Sequence, residues 1–261
     1  MIVIAHLSDV HFDDGPRAAA RARTVMAYLD GLPYDLDAVL ISGDIADQGA
    51  DHEYEQARKT LVSRHPTVIC PGNHDERLAF RRGLLGEVAP TPTQAPTPAP
   101  IDQVLRGDGF VLAVCDSSVP GEDHGRLEDS TLAWLDGVLT DTPHEVPVLV
   151  AFHHPPVELH TPYVDEIRQF GEERLAALAE RHPHLRAFLC GHAHTAAATT
   201  FAGRPLLVAP GVVSTLRLPW ERQDDPEHHV HLDEPPAVAF HVLGDDGRLT
   251  THYRVVVDER R

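Results

Sequence analysis

The sequence predicts an α/β fold in four layers, α/β/β/α, with two mixed sheets packed face to face and helices on their outer faces. Two observations support this prediction. Strand-like apolar runs alternate with amphipathic helical patterns over most of the chain, as in sheets covered by helices. After Thr199 the pattern contains strands only, so the closing segments are expected to form antiparallel pairs.

The first three predicted strands are Ile2 to Leu7, Ala38 to Ser42 and Thr67 to Cys70, each a short apolar run. Between the first two, Arg17 to Leu29 places its apolar residues on one stripe, which is typical of a helix packed on a sheet. Asp51 to Val62 repeats this pattern and begins with an acidic turn that suits the helix dipole. The order is therefore strand, helix, strand, helix, strand.

The remaining elements follow the same reasoning. Helices are predicted at Glu76 to Leu84, Asp129 to Leu139 and Gly171 to Arg181. Buried strands are predicted at Phe110 to Cys115, Val146 to Phe152 and Leu185 to Cys190. Late strands are predicted at Thr199 to Phe201, Arg204 to Val208, Ala237 to His241 and Leu249 to Val257. The turn Gly244-Asp245-Asp246-Gly247 joins the last two into a closing hairpin over about residues 237–257.

Composition limits the class of protein. The 261 residues are 42% hydrophobic and 24% charged, enough to bury one core, and we expect a single domain over residues 1–261. The formal net charge of −18 disfavours a nucleic-acid or anionic-membrane partner. No apolar run approaches eighteen residues and the chain enters a strand directly, so a cytoplasmic protein is expected. Cys70, Cys115 and Cys190 lie in apolar strands and are interpreted as buried small hydrophobes.

One segment is low in complexity. Residues 89–100 consist almost entirely of Pro, Thr and Ala, a composition that favours an extended connection over the surface. A lid over an active site is the alternative interpretation.

Five short polar motifs follow five of the apolar runs. They are Asp9-Val10-His11, Gly43-Asp44, Gly72-Asn73-His74-Asp75, His153-His154-Pro155-Pro156 and Gly191-His192-Ala193-His194. Ligands collect at the carboxyl ends of strands in an α/β sheet, so these distant motifs are expected to meet in one small volume. Three of the motifs begin with a glycine, whose missing side chain would let the backbone approach the shared site closely.

The residue types in these motifs suit a pair of metal ions. Two divalent ions about 3.5–4 Å apart need one bridging ligand and further ligands divided between them. Short carboxylates, an amide and imidazoles provide these ligands. Because none of the five motifs contains a cysteine, the donor set favours Mn, Fe, Co or Zn over a thiolate-bound structural zinc. On a strand, Asp9 and His11 would point to the same side.

The ordered set D-x-H, G-D, G-N-H-D, H-H-P-P and G-H-x-H resembles the calcineurin-like metallophosphoesterases and spans Asp9 to His194. The resemblance implies a metallophosphoesterase-type sandwich with two metal ions. One ion would be held by Asp9, His11, Asp44 and His194, and the other by Asp44, Asn73, His153 and His192. Asp44 would bridge the two. The family pattern H-x-P selects His153 as ligand, although His154 beside it leaves the choice open.

The resemblance also implies catalytic roles. His74 would lie beside the substrate phosphate as proton donor, with Asp75 orienting its ring, and Asn73 would face the phosphoryl oxygens. The stretches Asp116-Ser117-Ser118, His124-Gly125-Arg126-Leu127 and Thr251-His252-Tyr253 are similar to segments of bacterial class III 3′,5′-cyclic-nucleotide phosphodiesterases. This similarity makes His124 a candidate substrate-binding residue.

Hydrolysis of 3′,5′-cyclic nucleotides, such as cAMP to AMP, is the resulting functional hypothesis, with Fe, Mn or Zn as metals and a small phosphodiester as substrate. A glycerophosphodiesterase, a 2′,3′-cyclic phosphodiesterase or a nuclease would share these ligands, although the acidic charge disfavours a nuclease. A non-catalytic scaffold of the same fold would be expected to lose ligands. Related enzymes often associate, so a homo-oligomer is possible.

Two further histidine sites are interpreted without a role in chemistry. His6, on the first strand, is expected to be a packed core residue. His228, His229 and His231 lie in an acidic, proline-bounded stretch and are not assigned to the metal site.

Overall fold

The structure is a computed structural model that describes residues 1–87, 98–221 and 229–257. Residues 89–97 of the predicted surface loop at residues 89–100 lie outside the described residues, as does His228. In the described part of the chain, no helix is long and apolar enough to cross a membrane.

Thirteen strands and six α-helices are described. The strands are β1 Ile2–Leu7, β2 Ala38–Ser42, β3 Thr67–Cys70, β4 Gln103–Gly107, β5 Phe110–Val114, β6 Val148–Ala151, β7 Leu185–Cys190, β8 Ala197–Phe201, β9 Arg204–Val208, β10 Thr215–Leu216, β11 Val230–His231, β12 Ala237–Leu243 and β13 Leu249–Val255. The helices are α1 Pro16–Asp30, α2 Asp51–Thr60, α3 Arg77–Leu84, α4 Asp129–Asp141, α5 Pro162–Glu166 and α6 Glu172–Arg181. A single 3₁₀ turn covers Pro219–Glu221.

Two mixed sheets form the centre of the fold. The first has the strand order β13-β12-β1-β2-β3, in which β1, β2 and β3 are parallel and the closing hairpin adds two antiparallel strands. The second has the order β4-β5-β6-β7-β9-β8, with a parallel centre and an antiparallel strand at each edge. A two-stranded ribbon, β10 and β11, is separate from both.

Three apolar layers hold the sheets and helices together. One lies between the two sheets and includes Leu40 and Leu149. A second joins the first sheet to α1, α2 and α3 through residues such as Val25 and Tyr54. The third joins the second sheet to α4 and α6, with Leu135 among its residues. Alternate side chains of each strand face opposite layers, which confirms the predicted α/β/β/α sandwich.

Most predicted elements are confirmed within a few residues of their ends. The edge strand β4, the short helix α5 and the ribbon β10–β11 were not predicted. β4 is half-exposed and only five residues long, and the ribbon strands have two residues each, so none carries a readable period. The 3₁₀ turn at Pro219–Glu221 corrects the expectation that the chain contains only strands after Thr199.

The three cysteines are free and buried, as predicted. His6 is also buried, and its Nε2 lies 2.7 Å from Ser42 Oγ while its Nδ1 lies 3.0 Å from His241 Nε2. Burial, together with the charge of His241, lowers the pKa of His6 well below its ordinary value, so the ring is neutral. The prediction of a packed core histidine is therefore confirmed.

Candidate metal centre

The five motifs meet at the carboxyl ends of β1, β2, β3, β6 and β7. Backbone hydrogen bonds join these ends: the Asp9 amide donates to Gly43 O over 3.1 Å, and the Gly191 amide donates to His153 O over 2.9 Å. The two sheets meet where His153 Nε2, after β6, lies 3.2 Å from Asp44 Oδ2, after β2. Both sheets therefore contribute to one site, as the sequence predicts for parallel strands.

The first group of potential ligands contains Asp9, His11, Asp44 and His194, each of which offers one atom within 4.8 Å of the others. His194 Nε2 lies 3.5 Å from Asp9 Oδ1, and the Nε2 atoms of His11 and His194 are 3.2 Å apart. This group is the set that the family resemblance assigns to one ion. All four side chains are largely buried.

The second group contains His153, His154 and His192. His153 Nε2 lies 3.2 Å from Asp44 Oδ2 and 4.0 Å from Asp9 Oδ1, so it points toward the first group. His154 points elsewhere, because its Nδ1 lies 2.8 Å from Ser117 Oγ and its Nε2 lies 3.1 Å from Asn73 Oδ1. Of the adjacent pair, His153 therefore has the geometry of a ligand and His154 that of a support for Asn73.

Asp44 lies between the two groups. Its Oδ2 is 3.5 Å from His11 Nε2 on one side and 3.2 Å from His153 Nε2 on the other. Its Oδ1 accepts a hydrogen bond from the His74 amide over 3.0 Å. This position suits the bridging role that the resemblance implies.

The chemistry of the site fits bound metal ions. Among the described residues, both Asp9 carboxylate oxygens, His153 Nε2 and His192 Nε2 are buried without a hydrogen-bond partner. Buried polar atoms are normally paired, and four unpaired ones pointing into one site are explained by ligands to a cation. The donors are oxygen and nitrogen, which suits first-row divalent metals without selecting one of them.

Charge within the site supports the same interpretation. Burial raises the pKa of Asp9 to about 6. Burial also acts to raise the pKa of Asp44, but the charge of the nearby His153 holds that pKa well below its ordinary value. For His153, burial acts to lower the pKa, and Asp44 more than offsets this and raises it to about 9. Two buried carboxylates thus compete for positive charge, which a metal ion would supply.

The histidine rings are fixed by hydrogen bonds at Nδ1. His153 Nδ1 donates to Ser42 O over 2.6 Å, and His11 Nδ1 donates to Asp47 Oδ1 over 3.3 Å. His194 Nδ1 lies 2.7 Å from Ser214 Oγ. Each ring therefore presents Nε2 to the site, the arrangement by which outer residues orient metal-binding histidines. Sequence reasoning missed these partners. Asp47 lies three residues after Asp44, and this position marks it as a possible partner of a ligand histidine. Nothing in the sequence marks Ser214 in this way.

The backbone of the candidate ligands adopts an uncommon conformation. Asp9, His11, Asp44, His192 and His194 all have positive φ, between 46° and 68°. Outside glycine this region is sparsely populated, and such residues cluster at functional sites. Asp9 and His11 do face the same site, as predicted, but not because they lie on a strand. β1 ends at Leu7, and both residues belong to the loop that follows.

Close backbone approach explains two of the motif glycines. A Cβ on Gly72 would lie 2.2 Å from Asp44 Oδ1, and one on Gly43 would lie 2.5 Å from His153 Nδ1. Gly43 also has φ of 94°, which side chains rarely permit. These glycines therefore allow the ligands to approach one another, as predicted.

His74 lies at the edge of the site, and its ring is oriented by Asp47. His74 Nδ1 donates to the backbone Asp47 O over 2.7 Å, and its ring meets that of His11 edge-on at 4.6 Å. The prediction that Asp75 orients this ring is wrong. The Asp75 carboxylate instead accepts from the amides of Ile45, Ala46 and Gly72 and from the Tyr54 hydroxyl, so it fixes the loops that carry Asp44 and Asn73.

His124 is not brought into this site. Its ring packs edge-on against Phe170 at 5.6 Å, and its Nδ1 lies 3.8 Å from a Glu122 oxygen. The expectation that His124 contacts substrate is therefore not supported. The neighbouring Gly125 is the closer residue, since a Cβ there would lie 2.4 Å from the His154 ring.

A cavity of about 310 Å³ opens above the two ligand groups. Its floor includes His11, Asp44, Asn73, His74, His192 and His194, and its other lining residues include Tyr163, Ile167, Val213, Leu216, His229, Val230 and Leu232. Sequence reasoning did not place His229 or Tyr163 here. A larger cavity of about 960 Å³ lies between α1 and the end of β13 and contains none of the motif residues.

The two-sheet sandwich and the paired ligand groups define a phosphoester hydrolase of the calcineurin-like type. The sequence model of the calcineurin-like phosphoesterase family matches residues 2–196, and the chain belongs to that family.

Two relatives illustrate its position in the family. The chain is 32% identical over 248 residues to the glycerophosphodiester phosphodiesterase GpdQ of Enterobacter lignolyticus, a match that covers 92% of this chain and 86% of that protein. It is 35% identical over 229 residues to the cAMP/cGMP dual specificity phosphodiesterase of Mycobacterium tuberculosis, covering 82% of this chain and 68% of the relative.

Among solved structures, a dimetal phosphatase from Danio rerio is similar with a TM-score of 0.68 at 16% identity, covering 98% of this chain and 97% of that one. This likeness supports the fold alone.

Proposed function

We propose that this chain is a dinuclear metal-dependent phosphodiesterase that hydrolyses 3′,5′-cyclic nucleotides, such as cAMP, to 5′-monophosphates. The observation that carries the proposal is the position of Asp44 Oδ2, 3.5 Å from His11 Nε2 in one ligand group and 3.2 Å from His153 Nε2 in the other. A shared carboxylate between two sets of ligands is what a two-ion phosphoesterase needs.

The ligand assignment combines the two groups with the family resemblance, which puts Asp44 and Asn73 in place of His154 in the second set. One ion would be held by Asp9, His11, Asp44 and His194, and the other by Asp44, Asn73, His153 and His192. When bound, the ions would lower the pKa of a water molecule for attack on phosphorus and offset charge on the phosphoryl oxygens. His154 supports this assignment indirectly by holding the Asn73 amide through its Nε2.

His74 would supply the proton to the leaving 3′ oxygen. Its Nδ1 is engaged by the Asp47 carbonyl, so Nε2 is the nitrogen free to face a substrate in the cavity. Proton donation matters here because an alkoxide is a poor leaving group.

The choice of substrate rests on the relatives and on charge. The Mycobacterium tuberculosis relative is named for cAMP and cGMP and is 35% identical. The net charge of −18 makes a nucleic-acid chain a poor substrate. A second candidate is glycerophosphodiester hydrolysis, favoured by the 32% identity to GpdQ over 92% of this chain. A scaffold without catalysis is disfavoured because every expected ligand and His74 are present.

A substrate panel on protein of measured metal content tests the proposal. The panel contains 3′,5′-cAMP, 3′,5′-cGMP, 2′,3′-cAMP, glycerophosphoethanolamine and bis(p-nitrophenyl) phosphate. We expect two metal ions per chain and the highest kcat/KM for a 3′,5′-cyclic nucleotide. A higher kcat/KM for glycerophosphoethanolamine would favour the second candidate, and protein without metal or turnover would favour the scaffold.

A further inference from the structure

We infer that the cavity contains a binding site for the planar base of the substrate, formed by Tyr163, Leu216, His229, Val230 and Leu232, which we call the apolar wall. The inference rests on the proposed function and deepens it. According to this inference, the apolar wall is the part of the cavity that favours a nucleoside phosphodiester over a phosphodiester without a base.

The cavity has two chemically different sides. Its floor consists of imidazoles, carboxylates and an amide from the ligand groups, whereas the apolar wall rises from α5 and from the ribbon β10–β11. Val213 and Ile167 add apolar surface beside it. A molecule that fits both sides needs an anionic group at one end and an apolar, flat group at the other.

The apolar wall is unusually exposed for its residue types. Tyr163, Val230 and Leu232 expose 52%, 47% and 51% of their surface, although large apolar side chains are normally buried. All three line the same cavity. The Tyr163 and His229 rings lie 4.7 Å apart, tilted by 33°, and present an aromatic surface at the mouth. Exposed apolar groups gathered at a cavity indicate a ligand-binding surface.

Hydrogen bonds anchor the apolar wall to the site. Arg17 of α1 donates to the carbonyl oxygens of Val213 and Leu232, and Arg21 donates to Val212 O over 2.6 Å. On the other side, Thr195 Oγ1 donates to Leu216 O over 2.8 Å and accepts from the Leu216 amide over 3.1 Å. Because Thr195 follows the ligand His194, the wall is fixed relative to the ligand groups. Such preorganisation lowers the cost of binding.

A purine nucleotide satisfies both sides of the cavity. Its phosphodiester would lie over the ligand groups and its base against Tyr163 and His229, where every base can stack because each has a π face. A glycerophosphodiester has no flat apolar group to place there. Asp13, which also lines the cavity, would instead attract a cationic head group, so the test includes one.

The experiment compares 3′,5′-cAMP with the cyclic 3,5-phosphate of methyl riboside, which has the same diester ring but no base. In Tyr163→Ala we expect the preference for cAMP, the ratio of the two kcat/KM values, to fall about 10-fold, the effect of removing one stacking aromatic. The loss should lie in KM, and Tyr163→Phe should restore the ratio. Tyr34→Ala is the matched control. Tyr34 is 81% exposed and does not line either of the two described cavities that border on the motifs, so its loss should leave the ratio unchanged.

Several results would overturn the inference. An equal loss for both diesters in Tyr163→Ala would mean that Tyr163 supports the floor and not a base. A loss confined to glycerophosphoethanolamine would assign the wall to a cationic head group.

Calorimetry with AMP and ribose 5-phosphate separates this inference from the proposed function. If the protein turned over no phosphodiester but bound AMP more tightly than ribose 5-phosphate in a Tyr163-dependent way, the base site would stand and the proposed function would fail. Equal affinities for the two ligands would refute the base site.

Discussion

Replacing His74 by alanine should separate proton donation from metal binding. The His74 side chain makes its hydrogen bond to the backbone Asp47 O, whereas its peptide amide, which donates to Asp44 Oδ1, is retained in His74→Ala. The variant should therefore keep both ligand groups and their metal. What it loses is a nitrogen that can protonate the leaving oxygen.

The size of the loss should depend on the leaving group. General acid catalysis contributes about 10²–10⁴ in rate, or about 3–5 kcal/mol at 1.36 kcal/mol per factor of ten. The 3′ alkoxide of cAMP needs the proton and should show this full loss in kcat. A nitrophenolate leaves without protonation, so bis(p-nitrophenyl) phosphate should lose about tenfold or less.

The assay measures kcat for both substrates on wild type and His74→Ala at equal, measured metal content. His52→Ala is the matched control, because His52 is an exposed histidine on α2 that pairs with Asp14, and its loss should leave both rates unchanged. Equal losses for cAMP and bis(p-nitrophenyl) phosphate would refute proton donation and assign His74 to substrate positioning. Loss of metal from His74→Ala would refute the separation itself.

Three further predictions follow from the site and the core. Asp44→Asn should lower metal content and reduce turnover at least 10²-fold, because Asp44 faces both ligand groups; normal metal content with normal turnover would contradict a bridge. A chelator should lower the Tm, since ions bound to the folded chain stabilise it and their removal leaves buried carboxylates repelling one another; a Tm that ignores chelator would count against a metal centre. Burial raises the pKa of Asp102 to about 6, above its unfolded value of 3.8, so its contribution to stability is full below about pH 3.8 and lost as the pH rises through about 6. The Tm of Asp102→Asn relative to wild type should therefore increase between about pH 4 and pH 7, and a pH-independent difference in Tm would exclude this account.

The layers of the fold and the first ligand group could be predicted from the sequence because both depend on local pattern. Apolar periodicity indicates the strands and helices. Parallel strands place their carboxyl ends at the same edge of the sheet, so the polar residues at those ends are expected to lie close together. Asp9, His11, Asp44 and His194 meet as that reasoning expects.

Contacts between distant loops could not be predicted in the same way. The partner of the His74 ring is a backbone carbonyl 27 residues earlier, and no property of Asp47 as a residue type indicates that its carbonyl faces this ring. His124 fits the family pattern in sequence, yet its ring turns onto Phe170. The acidic surroundings of His229 indicate no role in the site, yet the residue lies beside β11 and lines the cavity. Each outcome depends on tertiary contacts that override local composition.

The left-handed backbone of five candidate ligands has a consequence for engineering. Such residues cost on the order of 1 kcal/mol each, so together they remove roughly 5 kcal/mol, comparable with the whole net stability of many domains. Glycine at His192 or His194 would relieve that cost and remove a ligand at the same time. A library of variants sorted only for thermal resistance of the metal-free chain would therefore accumulate changes at these positions and drift toward inactive protein. Selection for a more stable enzyme therefore has to be carried out with metal present, because binding of the ions stabilises the backbone conformation that the metal-free chain disfavours.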